Sequence, residues 1–421
     1  MNRFICMLAL RSAWNRRLTL GMTLLSVALS AALLVGIERL RADARESFAE
    51  AVSGTDLIVG ARASPVELML YAVFRIGAAT NNIGWQSFQA LARDPAVTWA
   101  VPLSLGDSHR GFAVLGTTGM YFERFRHGNG RALRFTDGKP FEQLFDAVIG
   151  AEVAAAAGYR LGQRITLSHG SGTEGLTEHA DKPFVVAGIL ARTGTAVDRT
   201  VHVSLEAIEA IHLDWRGGAP IPGVSIPPEF ARKFDLQPKS ITAAFIGLHN
   251  RAEVFALQRR INTMRDEALM AVMPGVALDE LWQIIGTAER SLTAVSALVA
   301  VVSLIGLVAV VLAGLNERRR ELAILRSIGA GPRDIFMLLT LEGLLITLGG
   351  VLLGLGFLTA GSAMFGDAAL ARYGIDLRPR LLAMDELPVL ASIVGAGFCA
   401  SLVPGYRAYR MALADGLAPR L

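Results

Sequence analysis

The sequence predicts a membrane protein of four transmembrane α-helices, one N-terminal and three C-terminal, with a large α+β extracytoplasmic domain inserted between the first and second. Three observations carry this expectation. Hydrophobic residues make up 52% of the 421 residues and charged residues 19%. That is too apolar for an ordinary soluble protein and too charged for a bundle of membrane helices alone. Apolar stretches long enough to cross roughly 30 Å of hydrocarbon, which takes about 20 helical residues, occur at 18–37, 291–315, 335–366 and 387–406. Finally, residues 38–290 alternate β-rich runs, turns and amphipathic helical patterns.

Taken in chain order, residues 1–17 form a short basic segment with four arginines and no acid. The span 18–37 outlasts the about 7–15-residue core of a cleaved signal peptide, which is the alternative reading of an N-terminal apolar run. The 316–334 loop carries five arginines against three acids, the 407–421 tail three against one, and the 367–386 loop three against four. Net charges of +4, +2, +2 and −1 for these segments place the N-terminus, the 316–334 loop and the C-terminus in the cytoplasm, and 38–290 and 367–386 outside. The cytoplasmic segments therefore hold more positive charge than the whole chain's formal +4. The basic balance is a topology signal, and a nucleic-acid partner is excluded.

In the inserted domain, Leu40, Ala44, Phe48 and Val52 recur every four residues, continuing the first span as an amphipathic stalk. Leu278, Leu281, Ile285, Ala288 and Leu292 form a matching stripe into the second span. Between them, strands are expected at Asp56–Gly60, Val97–Leu105, Gly111–Leu115, Arg164–Ser168, Phe184–Leu190 and Val201–Val203, and helices at Glu152–Tyr159, Leu205–Ile211 and Arg251–Met270. Pro65–Gly77 is too short to span and reads as a core helix, with a substrate-contacting flap as the alternative. Gly217–Pro228, rich in proline and glycine, reads as a linker or subdomain boundary.

Several chemistries are absent. The only Gly-Lys pair, Gly138-Lys139, precedes Pro140, so the chain has no phosphate-binding loop for ATP. Neither a His-Glu-x-x-His helix nor a Gly-x-Ser-x-Gly elbow occurs, and no nucleophile has an adjacent base, so the chain is expected to be non-catalytic. Its two cysteines, Cys6 and Cys399, are too far apart in the chain to suggest a disulfide framework or a thiolate metal site. All seven histidines lie in the external domain. The tract 169–181 gathers His169, Glu174, Glu178, His179 and Asp181 into a loop between strands, a set of imidazoles and carboxylates suited to zinc. A solvated polar hairpin is the alternative. Within the third span, Glu342 needs a bundle-facing partner such as Arg407 or an interfacial position, and Gly350 and Gly354 give a small-xxx-small face for close helix contact.

The segment 316–350 holds a short amphipathic helix, Glu317–Ile328, with an apolar ridge of Leu322, Leu325 and Ile328 and a basic face including Arg318, Arg319, Arg320 and Arg326; Gly329 and Gly331-Pro332 end it. By itself this pattern suits a helix lying on the lipid surface as well as one that meets a cytoplasmic partner. Its residues Glu317, Arg318, Arg320, Glu321, Arg326, Gly329 and Ala330, followed by Glu342, Gly349 and Gly350, resemble the second cytoplasmic segment of the MacB/FtsX/LolC superfamily of ABC-transporter permeases. Pro404, Tyr406, Arg407, Ala408 and Arg410 resemble that family's closing motif, with Leu413 standing where a second proline is usual. The runs GTDLIVG, AVIGAEVAAAAGYRLGQRITL and PFVVAGIL, then RTVHVSL, resemble its membrane-proximal core.

The resemblance implies a mechanotransmitting permease subunit in a bacterial inner membrane. It implies a second permease copy or a paralogue, and a cytoplasmic ABC ATPase that supplies ATP and Mg and docks on the 316–334 loop as a coupling helix. The apolar ridge, Leu325 above all, is then expected to sit in a groove of that ATPase. A periplasmic adaptor or substrate protein and membrane lipid are the remaining partners, and work of the export or lipoprotein-release type is implied. The rival reading is a membrane-anchored periplasmic sensor or metal-binding scaffold without ATP-driven work.

Overall fold

A computed structural model describes residues 17–128, 130–170, 177–216, 219–221, 226–317, 319–327, 329–373, 377 and 379–410. Contacts divide the chain into a helical unit of Met1–Asp43, Gly286–Ala368 and Leu377–Leu421 and an α/β unit of Ala44–Ile285 and Ala369–Asp376.

The helical unit is built from Arg17–Glu50, Pro274–Glu317, Pro332–Tyr373 and Leu387–Arg410, of which the first three also contribute residues to the α/β unit. By length and composition, four helices among the described residues suffice to cross a membrane, and each holds one of the expected spans. Small residues set their packing. A Cβ added at Gly350 would stand 2.7 Å from Val27 Cγ1, and one at Gly354 2.5 Å from the Ala28 carbonyl oxygen. The first and third spans therefore meet with backbone nearly touching backbone, as a small-xxx-small face allows. A Cβ at Gly343 would stand 2.7 Å from that of Ser401, which brings the fourth span equally close to the third. Hydroxyls join the first and second spans, with Ser303 Oγ 3.0 Å from Ser26 Oγ and 2.6 Å from Ser30 Oγ. Arg39 donates to both oxygens of Glu386 at 2.8 and 2.9 Å, and Arg380 reaches Asp43 at 3.2 Å. These acids and Arg39 are buried, so their charges are compensated by pairing.

The α/β unit is organised by one sheet. Its principal strands are β1 (Leu57–Ala61), β2 (Val97–His109), β3 (Phe112–Thr117), β4 (Phe135–Gly138), β5 (Asp146–Ile149), β6 (Phe184–Leu190), β7 (Thr200–Ser204), β8 (Ala243–Leu248) and β9 (Leu269–Val272). They lie in the order β9-β1-β8-β2-β3-β7-β5-β6-β4. Only β3 with β7 and β5 with β6 pair in parallel along this path; the other neighbours are antiparallel. β1 and β7 are buried at every position; the unbroken apolar run of β1 matches this, whereas β7 buries Thr200, His202 and Ser204 along with its two valines, and β6 alternates buried and half-buried residues. The stalk stripes also end in this unit, where Phe48, Val52, Leu278, Leu281 and Trp282 join one core cluster.

Three expectations are corrected. Arg251–Met270 is not one helix: a 3-10 turn at Arg251–Glu253 leads into Val254–Asn262, and β9 follows. Asn262 Oδ1 accepts from the Ala271 amide at 2.7 Å, fastening the reversal. The expected boundary at Gly217–Pro228 does not separate subdomains, because its described part folds back, with Trp215–Arg216 pairing Ala219–Pro220 and the Ile221 amide donating to Asp214 O at 2.8 Å. Pro65–Ala72 is the expected core helix, yet it stops short of Gly77; Arg75 and Gly77, at φ 59° and 79°, turn the chain out of it.

Candidate functional site

Two places in the fold gather the residues singled out above. In the α/β unit, β2 is interrupted by a register shift between Leu105 and Ser108, the kind of bulge that re-aims a side chain. Asp107 sits in it. Its antiparallel neighbour is His169, on the two-residue strand Ser168–His169, which also pairs with Thr177–Glu178. The His179 amide then donates to Leu167 O at 2.8 Å, returning that residue to the same end of the hairpin. His212 arrives from the C-terminus of the helix Leu205–Ile211, whose N-cap Ser204 accepts from the Ala207 amide.

Asp107, His169, His179 and His212 thus converge, with one ligand atom from each within 4.8 Å of the others. His169 Nδ1 donates to Asp107 Oδ1 at 3.1 Å. His212 Nδ1 donates to Ile208 O at 2.8 Å, which leaves its Nε2 lone pair facing Asp107 Oδ1 at 3.7 Å and His169 Nδ1 at 3.2 Å. His179 is 1% exposed, and neither of its ring nitrogens has a hydrogen-bond partner among the described residues. Leaving such a group unsatisfied costs about 1–3 kcal/mol. The Trp215 ring covers the cluster, its centroid 4.3 Å from that of His179 and 5.4 Å from that of His169. Burial, with His212 beside it, pushes the His179 pKa down to about 4, so this imidazole is neutral at physiological pH. The hydrogen bond to Asp107 holds His169 above the ordinary value.

Lys182, wholly buried, braces the cluster. It donates to both oxygens of Asp214 at 2.9 and 2.8 Å and so ties the turn after His179 to the turn after His212.

Among the described residues of the tract 169–181, the fold brings His169 and His179 together. Glu178 is exposed and accepts from Thr166 Oγ1, while Asp181 accepts from Lys182 at 2.6 Å, so neither joins the histidines. Alternation along the strand sends Glu178 and His179 to opposite sides. Glu174 lies outside the described residues. Asp107 and His212 escaped the sequence reading because they lie 62 and 43 residues from His169, and only the sheet makes them neighbours. The remaining histidines have other surroundings. His109 donates from Nδ1 to Thr166 O and accepts from Tyr159, and His202 bonds Val148 O inside the core.

The second place is the helix Arg319–Ser327 in the helical unit. Gly329, at φ 104°, ends it, with the Gly329 and Ala330 amides donating to Arg326 O and Leu325 O. Leu322 and Ala323 are buried, and Leu322 and Leu325 pack with Leu307, Val311, Leu315, Ile335 and Leu339. This corrects the expected ridge. Leu322 and Leu325 seal the helix onto the chain's own spans, and among the described residues of this helix Ile324, at 55% exposure, is the large apolar side chain facing outward. Arg326 also turns inward, donating to Tyr409 O at 3.4 Å. Glu317 closes Pro274–Glu317, and Arg320 and Glu321 lie within Arg319–Ser327. Arg318 and Ile328 lie outside the described residues. Glu342 is half-buried on Pro332–Tyr373.

The chain matches the FtsX-like permease C-terminal family over residues 293–413 and the MacB-like periplasmic core domain over residues 20–231. Among solved structures it is similar to the periplasmic region of MacB from Actinobacillus actinomycetemcomitans, at 9% identity over 56% of this chain and 94% of that one, with a TM-score of 0.34. It is also similar to the extracellular domain of the noncanonic ABC-type transporter YknZ from Gram-positive bacteria, at 11% identity over 52% of this chain and 99% of that one, with a TM-score of 0.29. No curated protein sequence matches it. With both family domains present in the order that four spans and one inserted domain require, the chain belongs to the MacB/FtsX family of ABC-transporter permeases, multi-pass proteins of the inner membrane.

Proposed function

We propose that this permease couples ATP hydrolysis by a separate cytoplasmic ATPase to conformational work in the periplasm, of the export or lipoprotein-release type. The observation that carries the reading is the helix Arg319–Ser327, sealed on one face to the membrane spans by Leu322 and Leu325 while Ile324 stands exposed on the other. A helix so anchored passes a push on its outer face to the spans beneath it. An isolated surface helix would yield to that push. The loop charges put this helix and both termini in the cytoplasm, where an ATPase would meet it.

In this reading ATP and Mg are bound by the ATPase. Its dimerisation displaces the Arg319–Ser327 helices of two permeases, either two copies of this chain or one and a paralogue. The long helices Arg17–Glu50 and Pro274–Glu317, which contribute to both units, carry the displacement to the periplasmic core, and an adaptor or substrate protein responds there. The permease itself has no phosphate-binding loop and so cannot hold ATP phosphates by that route.

Purified in lipid nanodiscs, the chain is expected to show no ATP hydrolysis by itself and to support hydrolysis only after its ATPase subunit is added. Hydrolysis by the permease alone, undiminished by further purification and absent from a mock preparation, would overturn the assignment.

A further inference from the structure

We infer that Asp107, His169, His179 and His212 form a structural zinc site in the periplasmic core of this permease. The inference is independent of ATPase coupling. Three imidazoles and one carboxylate are a donor set suited to Zn²⁺, and four protein ligands make a closed site of the structural kind, with no position left for substrate or catalytic water. Nitrogen and oxygen ligands about 2.0–2.2 Å from the ion stand roughly 3.3–3.5 Å apart in a tetrahedron. The separations of 3.1, 3.2 and 3.7 Å among Asp107 Oδ1, His169 Nδ1 and His212 Nε2 bracket that value. His179, buried and without a hydrogen-bond partner among the described residues, supplies the fourth ligand by a small movement, since all four atoms already lie within 4.8 Å.

Outer contacts are also those of a built site. Ile208 O fixes the His212 tautomer so that Nε2 is free to bind, and the Lys182–Asp214 pair holds the two ligand-bearing turns together. On binding, the His169 proton moves from Nδ1 to Nε2, and the Asp107 oxygen that accepted it becomes a ligand. The ion would join the bulge of β2, the paired strands Ser168–His169 and Thr177–Glu178, and the turn after Leu205–Ile211, three segments that no disulfide connects.

The test uses the full chain in nanodiscs, carrying an affinity tag without histidine and stripped by a chelator. Titration with Zn²⁺ alone should give one tightly bound ion per chain and a higher melting temperature. Co²⁺ in its place should give the intense visible bands of a tetrahedral site, without the thiolate charge-transfer band that Cys6 or Cys399 would add. His179→Gln and His212→Gln should each weaken zinc binding at least about 100-fold, the upper end of what loss of an outer partner costs. Glu178→Gln, outside the cluster, should bind as the unaltered chain does. An unaltered chain with no stoichiometric zinc, or with an octahedral cobalt spectrum, overturns the inference whether or not any variant folds. So does undiminished binding in folded His179→Gln or His212→Gln.

Discussion

His202 is wholly buried on β7, 5.4 Å from the Tyr121 ring and 5.8 Å from that of Phe122, with Nδ1 donating to Val148 O at 3.2 Å. Burial, aided by the charge of Arg75 and opposed by that hydrogen bond, pushes its pKa down to about 3. In the unfolded chain it protonates near about 6.5. Between those values the unfolded state holds more protons than the folded one, so stability rises with pH through this window and is lost as pH falls below about 6.5. His202→Leu should therefore melt with a shallower dependence on pH than the unaltered chain between pH 7 and 4.5, and the two curves should converge toward the acid end. Parallel curves would show that this imidazole is not held neutral. At the same scale, His169 and His179 could be singled out in the sequence because they stand in one polar tract. Asp107 looks like any strand acid until the bulge turns it, and His212 looks like any residue following a helix. Ligation depends on atoms being close in space, and here that closeness comes from sheet pairing across distant segments.

For the helix Arg319–Ser327, the period and the stop were legible: apolar residues recur at helical spacing, and Gly329 ends the run, whereas Glu317, expected to open it, closes the preceding helix. Its facing was not, because Leu322, Ile324 and Leu325 are all apolar and only the packing of neighbouring spans decides which of them is covered. The consequence is a pair of contrasting variants. Ile324→Asp keeps the packed face intact but puts a charge where the ATPase is proposed to dock. Burying such a side chain is worth about 1.5–3 kcal/mol, and each 1.4 kcal/mol is about one decade in affinity, so co-purification with the ATPase should fall about tenfold or more while the permease inserts and melts normally. Leu325→Asp puts the charge into the chain's own cluster, so it should lower the yield and melting temperature of the permease itself. If Ile324→Asp retains the ATPase fully, the outward face is not the docking face. The central strand β8 shows the same limit within the sheet. Ala243–Leu248 is an unbroken apolar run with no alternation, as suits a strand buried on both faces, but so short a run does not by itself declare strand or helix.

Across the whole molecule, the four spans and the single inserted domain were the most legible features, since hydrocarbon thickness imposes a length that few other segments meet. The strand order was the least legible, because it depends on pairing between segments as remote as Leu57–Ala61 and Ala243–Leu248. Orientation rests on another physical signal, the arginine excess of the short loops, and it can be tested directly. Arg131 lies exposed on the short strand Arg131–Ala132 of the α/β unit, and Gly331 follows the helix Arg319–Ser327 of the helical unit. If the positive segments are cytoplasmic, alkaline phosphatase, which is active only after export, should be active when fused after Arg131 and inactive when fused after Gly331. A green fluorescent protein that folds only in the cytoplasm should give the opposite pair. The two reporters fail for different reasons, so agreement between them rules out a fusion that merely misfolds. Fluorescence after Arg131 with phosphatase activity after Gly331 would invert the topology. The proposed docking helix would then lie on the side of the membrane where no ATP is supplied, and the zinc cluster would lie in the cytoplasm.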